Sequence, residues 1–259
     1  MSNELIHNKA ELAKACACLS VVIPVYNEAA TLMEVVRKVC EVPHLLEVII
    51  VDDCSTDGTA DVILQLVKLF PFVRMHRLER NSGKTAALKV GFALSTGEIV
   101  IVQDADREYD PIDIPGVILP ILEGRADVVY GSRFLVRRAT RVLYFYHYLA
   151  NKSLTFLSNV FTNLNMTDIE TGYKAFRGDI IRRLVIVSTR FGFEVEVTAK
   201  VSKLKLAIYE VPISYYGRTY AEGKKISTKD GFMAIWLIIR FNVFWSRQSS
   251  FREEESEKL

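Results

Sequence analysis

The sequence predicts an α/β fold: a mostly parallel sheet flanked by helices, with amphipathic helices in the C-terminal half. Three observations predict it. Short unbroken apolar runs such as Ile99-Val100-Ile101-Val102 read as strands buried on both faces. The segments between them carry apolar residues at helical spacing. Several of the runs end in polar clusters, and right-handed crossovers collect such strand ends along one edge of a sheet, where open α/β sheets bind ligands.

The elements follow in order. Residues 1–17 read as a leader outside the core; Glu4, Lys9, Glu11 and Lys14 leave no apolar stretch long enough for a signal peptide. Leu19 to Pro24 is the first strand, followed by a helix over 29–41 with Leu32, Val35, Val36 and Val39 on one face. Val48–Val51 is a second strand ending at Asp52-Asp53. Ser55-Thr56-Asp57-Gly58 turns into a helix over 59–69, with Asp57 placed to cap it. A strand over 73–78, a helix over 84–94, a strand over 99–102, a helix over 115–122 and a strand over 128–130 complete the alternation.

After Phe134 the character changes. Arg137, Arg138 and Arg141 lead into the aromatic and aliphatic run Leu143-Tyr144-Phe145-Tyr146, which continues to Phe161. A basic start feeding an apolar helix suits a membrane surface, and equally a helix packed on the sheet or on a second copy. A last strand lies around 208–211 and a last apolar helix over 227–246, with residues 247–259 expected to be a disordered tail. The domain therefore spans 18–246.

Bulk composition excludes several classes. Thirty-three basic residues against 31 acidic ones, a net charge of +2, give no field to hold nucleic acid. Cys16, Cys18, Cys40 and Cys54 form no CxxC pair; Cys16-Ala17-Cys18 alone is a weak soft-metal signal, and reduced thiols are the plainer reading. No run reaches the roughly 20 apolar residues of a spanning helix, and the best candidate, Phe232 to Trp245, is interrupted by Arg240.

Chemistry concentrates at the strand ends. Asp104-Ala105-Asp106 offers two carboxylates on a turn, a pair able to converge on Mg²⁺ or Mn²⁺ and leave room for substrate phosphates. By itself the pattern also occurs in ordinary turns. Asp53 is placed to accept hydrogen bonds from a base or ribose. Asn81-Ser82-Gly83-Lys84-Thr85 is not a P-loop, because the required earlier glycine is Leu78; Lys84 at a helix start still suits a diphosphate. Arg133, in Gly131-Ser132-Arg133, suits either a phosphate or a salt bridge with a strand-end carboxylate. Asp168, Glu170, Glu194 and Glu196 remain open between structural roles and base catalysis; the last two share a face only if their segment is extended. The loop from Tyr215 to Lys225, with Arg218 between glycines, suits a mobile cover over phosphates.

Four motifs now stand in one order: Val22-Ile23-Pro24-Val25-Tyr26-Asn27-Glu28, Val51-Asp52-Asp53 through Thr59, Asn81-Ser82-Gly83-Lys84, and Asp104-Ala105-Asp106. The order resembles glycosyltransferase family 2, inverting enzymes with the Rossmann-like GT-A fold. Gly131-Ser132-Arg133, Thr171-Gly172-Tyr173-Lys174 and the Gly217–Lys225 loop resemble its polyprenyl-phosphate branch, which includes dolichyl-phosphate mannose synthases.

The resemblance implies that residues 18–134 hold the nucleotide-sugar and 135–246 the acceptor. It implies that Pro24, Tyr26, Glu28 and Asp53 line the nucleotide, and that Asp104 and Asp106 bind metal and diphosphate, with Glu108 where a glutamine often assists. Arg133, Arg141 and Arg218 would hold the acceptor phosphate. The implied reaction moves a hexose from GDP-mannose or UDP-glucose to a polyprenyl phosphate. Many relatives end in transmembrane helices, so this chain is expected to reach lipid through its amphipathic segment or a membrane-protein partner, at the cytoplasmic face, or else to use a soluble acceptor. Rival readings are a transferase acting on a sugar hydroxyl, a nucleotidyltransferase and an inactive binding module. The second lacks its usual glycine-rich loop after strand one, and the intact Asp104/Asp106 pair weighs against the third.

Overall fold

A computed structural model describes residues 17–135, 142, 144–190, 192–217, 228–246 and 248–252. Its centre is a seven-stranded sheet of order β3-β2-β1-β4-β6-β5-β7. The strands are β1 (Leu19–Val25), β2 (Leu45–Asp52), β3 (Val73–Arg77), β4 (Ile99–Val102), β5 (Val128–Ser132), β6 (Lys174–Arg177) and β7 (Ile208–Pro212). The helices are α1 (Leu32–Val39), α2 (Thr59–Leu69), α3 (Lys84–Leu94), α4 (Ile114–Leu122), α5 (Phe145–Thr162), α6 (Gly178–Arg183), α7 (Phe193–Val201) and α8 (Thr228–Val243).

The sheet is mostly parallel, as its sequence pattern predicts. β1 runs parallel to β2 and β4, β2 to β3, and β5 to β7. Only β6 is reversed, pairing antiparallel with both β4 and β5. Every residue of β1 and β4 is buried, which accounts for the unbroken apolar sequence of β4 and the apolar run of β1, where Ser20 is the one polar residue. Two apolar cores form, one on each face of the sheet. Ile23, Ile50, Ile101 and Val129 point to one; Val22, Ile49, Val100 and Val128 point to the other.

The chain moves outward from β1 to β2 and β3, then crosses back so that β4 lies on β1's other side. The strand order reverses between β1 and β4. Their pairing stops at Val22 and Val102, which opens a crevice beyond the strand ends.

One alternative left open by the sequence is decided, and two features were not foreseen. Residues 193–201 are helical, so Glu194 and Glu196 do not share a face: Glu194 faces Lys84, while Glu196 pairs with Lys200 one turn on. β6 and α6, each of six residues or fewer, are too short to carry a periodic signal. The tail expected to be disordered from 247 is structured over Gln248–Arg252. There Val185 and Arg252 bond backbone to backbone with Ser250 and Arg183, and the Arg183 guanidinium lies 4.4 Å from the Phe251 ring centre.

Among the described residues no helix is long and apolar enough to cross a membrane. α5 nevertheless presents Phe145, Tyr146, Phe156 and Val160 to solvent, each more than 60% exposed. α8, packed against it, exposes Phe232, Met233 and Trp236.

Candidate active site

The crevice is a cleft of 460 Å³ lined from one end to the other by strand-end residues. Asp53 follows β2. Its backbone N–H donates to the Val25 carbonyl at 2.8 Å, and its carboxylate accepts from the Ser82 and Gly83 N–H groups at 2.7 Å each. Asp53 therefore fixes the loop that starts α3. Gly83 must be glycine: its φ is +91°, and a Cβ there would lie 2.4 Å from the Arg190 backbone. Pro24, Tyr26 and Glu28 line the same part of the cleft. Their loop is tied to the next one by Asn27 N–H to Ser55 Oγ at 3.0 Å and Glu28 N–H to Thr59 Oγ1 at 2.9 Å.

Lys84, released by that loop, reaches Asp104. Its Nζ lies 2.8 and 3.0 Å from the two Asp104 oxygens and 3.2 Å from Glu194. Burial opposes the charge, but Asp104 and Glu194 outweigh it and hold Lys84 above the ordinary lysine range. Asp106 Oδ1 accepts the Glu108 N–H at 3.1 Å. The expected three-acid metal set is not assembled: Glu108 accepts the Tyr215 hydroxyl at 2.8 Å, and among the described residues no three acidic, Cys or His side chains gather around one point. The two aspartates remain beside the crevice as hard oxygen donors. Gly172 keeps their approach open, since a Cβ there would strike Asp104 Oδ2 at 2.5 Å.

A buried aromatic frame holds this turn. Tyr109 stacks on Tyr173 with ring centres 5.0 Å apart, and its hydroxyl accepts the Gly172 N–H at 2.9 Å. The Tyr173 hydroxyl bonds to buried Gln103, which also donates to the Asp104 carbonyl at 2.9 Å. Sequence reasoning missed Gln103 and Tyr109, and placed Tyr173 in a motif without giving its side chain a role; the one available signal was a polar residue, Gln103, closing an otherwise apolar strand.

At the far end of the cleft Arg133 follows β5. Its Nε and Nη2 grip Asp168 at 2.7 and 2.8 Å, and the guanidinium lies 5.1 Å from the Tyr215 ring centre. Burial would raise Asp168, but the Arg133 charge and hydrogen bonds hold it below the usual carboxylate range. Of the expected site residues, Pro24, Tyr26, Glu28, Asp53, Lys84, Asp104, Asp106, Glu108 and Arg133 all line one cleft. Arg141 and Arg218 lie outside the described residues.

A family model, glycosyl transferase family 2, matches residues 20–185, more than half of the chain and every strand-end motif through Asp168. The chain belongs to glycosyl transferase family 2. This family 2 glycosyltransferase is 30% identical over 209 residues to the undecaprenyl-phosphate mannosyltransferase of Micrococcus luteus, covering 78% of this chain and 85% of that protein. It is 28% identical over 212 residues to the polyprenol monophosphomannose synthase of Mycolicibacterium smegmatis, covering 79% of each. It is also 28% identical over 210 residues to the dolichol-phosphate mannosyltransferase of Pyrococcus furiosus, covering 80% of this chain and 58% of that one. Glucosyl-3-phosphoglycerate synthase of Mycobacterium tuberculosis, solved with Mn²⁺, UDP and phosphoglyceric acid, shares the GT-A fold. Its TM-score is 0.71 over 91% of this chain and 82% of that one, at 20% identity.

Proposed function

We propose that this family 2 transferase moves a hexose, with inversion, from GDP-mannose or UDP-glucose to a polyprenyl monophosphate at the cytoplasmic face of a membrane. The observation that carries the reading is the order of groups along the sheet edge. Asp53 follows β2, Asp104 follows β4 and Arg133 follows β5, and the sheet runs β2-β1-β4-β6-β5. Such a row suits a base at one end, a diphosphate at the middle and an anionic acceptor at the other end.

The middle of the row fits a divalent cation, Mg²⁺ or Mn²⁺. Asp104 and Asp106 supply oxygen ligands, Gly172 leaves their approach clear, and diphosphate oxygens would complete the shell. Bound there, the cation would offset charge on the departing nucleoside diphosphate. Lys84, held charged, adds a second positive group on the leaving side.

Arg133 would orient the acceptor phosphate with the cation of its guanidinium, while Asp168 fixes the plane of the fork. Arg141 and Arg218 are assigned to the same acceptor. A phosphate monoester with a second pKa of about 6 is already a nucleophile at neutral pH and needs no protein base. Between Arg133 and Thr167 the chain carries five Lys or Arg and no acid. That segment leads into the exposed aromatic face of α5, a combination that supports working beside an anionic lipid surface.

A sugar-hydroxyl acceptor is the second reading, favoured by one observation. Burial and the neighbouring Glu194 charge push Glu170 up to about 7, the range of a general base. A donor screen separates the two. GDP-mannose and UDP-glucose are incubated with Mg²⁺ or Mn²⁺ and a short polyprenyl phosphate, and products are read by mass spectrometry. The proposal expects a hexosyl-phosphoryl lipid and free nucleoside diphosphate. Pyrophosphate release would instead indicate nucleotidyl transfer, and absence of glycolipid with every donor would exclude the lipid acceptor.

A further inference from the structure

Glu170 stands in the same row, just before β6, and transfer to a phosphate acceptor gives it no work. Because β6 is antiparallel, its starting end lies at the edge where β4 and β5 finish. In sheet order Glu170 therefore falls between Asp104 and Arg133. It lines the cleft with both. Under the hexose-transfer reading, on which this inference rests, that is the place between the leaving diphosphate and the attacking phosphate, where the sugar ring must sit.

Its neighbours are already committed. Asp104 and Glu194 are bound to Lys84, and Asp168 to Arg133. Lys174 is buried beside it but turns its ammonium to the Ile169 and Thr171 carbonyls, 2.9 Å from the first. Glu170 Oε1 is itself buried and meets no hydrogen-bond donor among the described residues. Leaving such an oxygen unpaired is costly, and native proteins retain it chiefly where a ligand completes the bond. Phosphate oxygens cannot complete it while Glu170 is ionised, because they are acceptors and carry the same sign of charge. A hydroxyl can.

We propose that Glu170 accepts a hydrogen bond from a hydroxyl of the transferred sugar at Oε1, and so helps select which hexose the enzyme takes. Its raised pKa accords with a site awaiting an uncharged ligand rather than a cation. A hydroxyl could also arrive on the acceptor, where Glu170 would be a base, and the test keeps the two sources apart.

Binding of GDP-mannose and GDP, and of UDP-glucose and UDP, is measured without acceptor for wild type, Glu170→Ala and Glu170→Gln. Transfer by the wild type is assayed alongside, so that a failure of the hexose-transfer reading registers as missing product, independently of the binding comparison. The proposal expects Glu170→Ala to weaken the nucleotide-sugar about tenfold or more while nucleoside diphosphate affinity holds. Glu170→Gln, which keeps a carbonyl acceptor, should restore both binding and turnover. A deoxy-sugar donor lacking the hydroxyl should bind wild type as weakly as the full donor binds Glu170→Ala. Equal nucleotide-sugar affinity in wild type and Glu170→Ala would overturn the proposal. So would a Glu170→Gln enzyme that binds donor normally yet does not turn over, since that is the signature of a base acting on an acceptor hydroxyl.

Discussion

Arg133 closes on Asp168 with two parallel bonds, Nε to Oδ2 at 2.7 Å and Nη2 to Oδ1 at 2.8 Å, and the Arg133 N–H adds a third at 3.1 Å. The side chains are 9% and 0% exposed. Removing one partner strands the other charge in the interior. Arg133→Ala and Asp168→Ala are each expected to lose about 3–5 kcal/mol of stability in urea unfolding. Arg133→Lys keeps the charge without the fork and falls between. The pH sign follows from the lowered Asp168 value. The pair's stabilisation is present above the ordinary carboxylate pKa of 3.8 and lost as pH falls through the depressed one, so Asp168→Asn should flatten the acid arm of the stability curve.

Glu170 gives the opposite dependence. Between its ordinary 4.5 and about 7 the folded chain holds a proton that the unfolded chain releases, so its contribution becomes less favourable as pH rises across that window. Glu170→Gln cannot titrate. Its melting temperature should exceed the wild type's by more at pH 8 than at pH 5, a gain of roughly 1–3 kcal/mol across the interval. A difference independent of pH would show that Glu170 is ordinary in the free enzyme.

Gly172→Ala places a methyl 2.5 Å from Asp104 Oδ2 and 3.0 Å from a Tyr109 ring carbon. The Asp104 carboxylate must shift. Overpacking of this kind costs about 1–3 kcal/mol of stability. Displacing a positioning group by an ångström costs on the order of 100-fold in rate. Transfer should therefore fall far more than urea stability, and a rate loss no greater than the stability loss implies would contradict the role given to Asp104.

Lys84→Met removes the cation shared by Asp104 and Glu194. Burial raises Glu194, and Lys84 is the leading charge that brings it back below its ordinary value. Without Lys84, Glu194 should titrate higher, a rise that a carboxyl NMR titration reads. The transfer rate should fall by about 100-fold or more for loss of a charge on the leaving group.

The sheet was legible because its strands are buried on both faces. β4 is an unbroken apolar run and β1 is apolar but for Ser20, and the helices over 59–69 and 84–94 match their sequence bounds to the residue. The site was legible wherever a side chain sits at the end of such a strand, as Asp53, Asp104 and Arg133 do. What escaped was set by contacts distant in sequence. Nothing local distinguishes an Asp168 that will neutralise Arg133, 35 residues earlier, from a solvated turn acid. The hydrogen bond that Glu108 accepts from Tyr215 spans 107 residues and has no local signal in the sequence. β6 runs antiparallel to its neighbours over only four residues, too few for any period to announce it.

The most direct test of the central claim is the structure of the product. Wild-type enzyme is supplied with an α-linked nucleotide-hexose, Mg²⁺ or Mn²⁺ and a short polyprenyl phosphate, and the lipid fraction is examined by phosphorus and proton NMR. A hexosyl-phosphoryl lipid with the β-anomeric linkage, absent when Asp104→Asn replaces the wild type, is the predicted result. A sugar attached through a hydroxyl, an α-linked product, or undiminished synthesis by Asp104→Asn would contradict it.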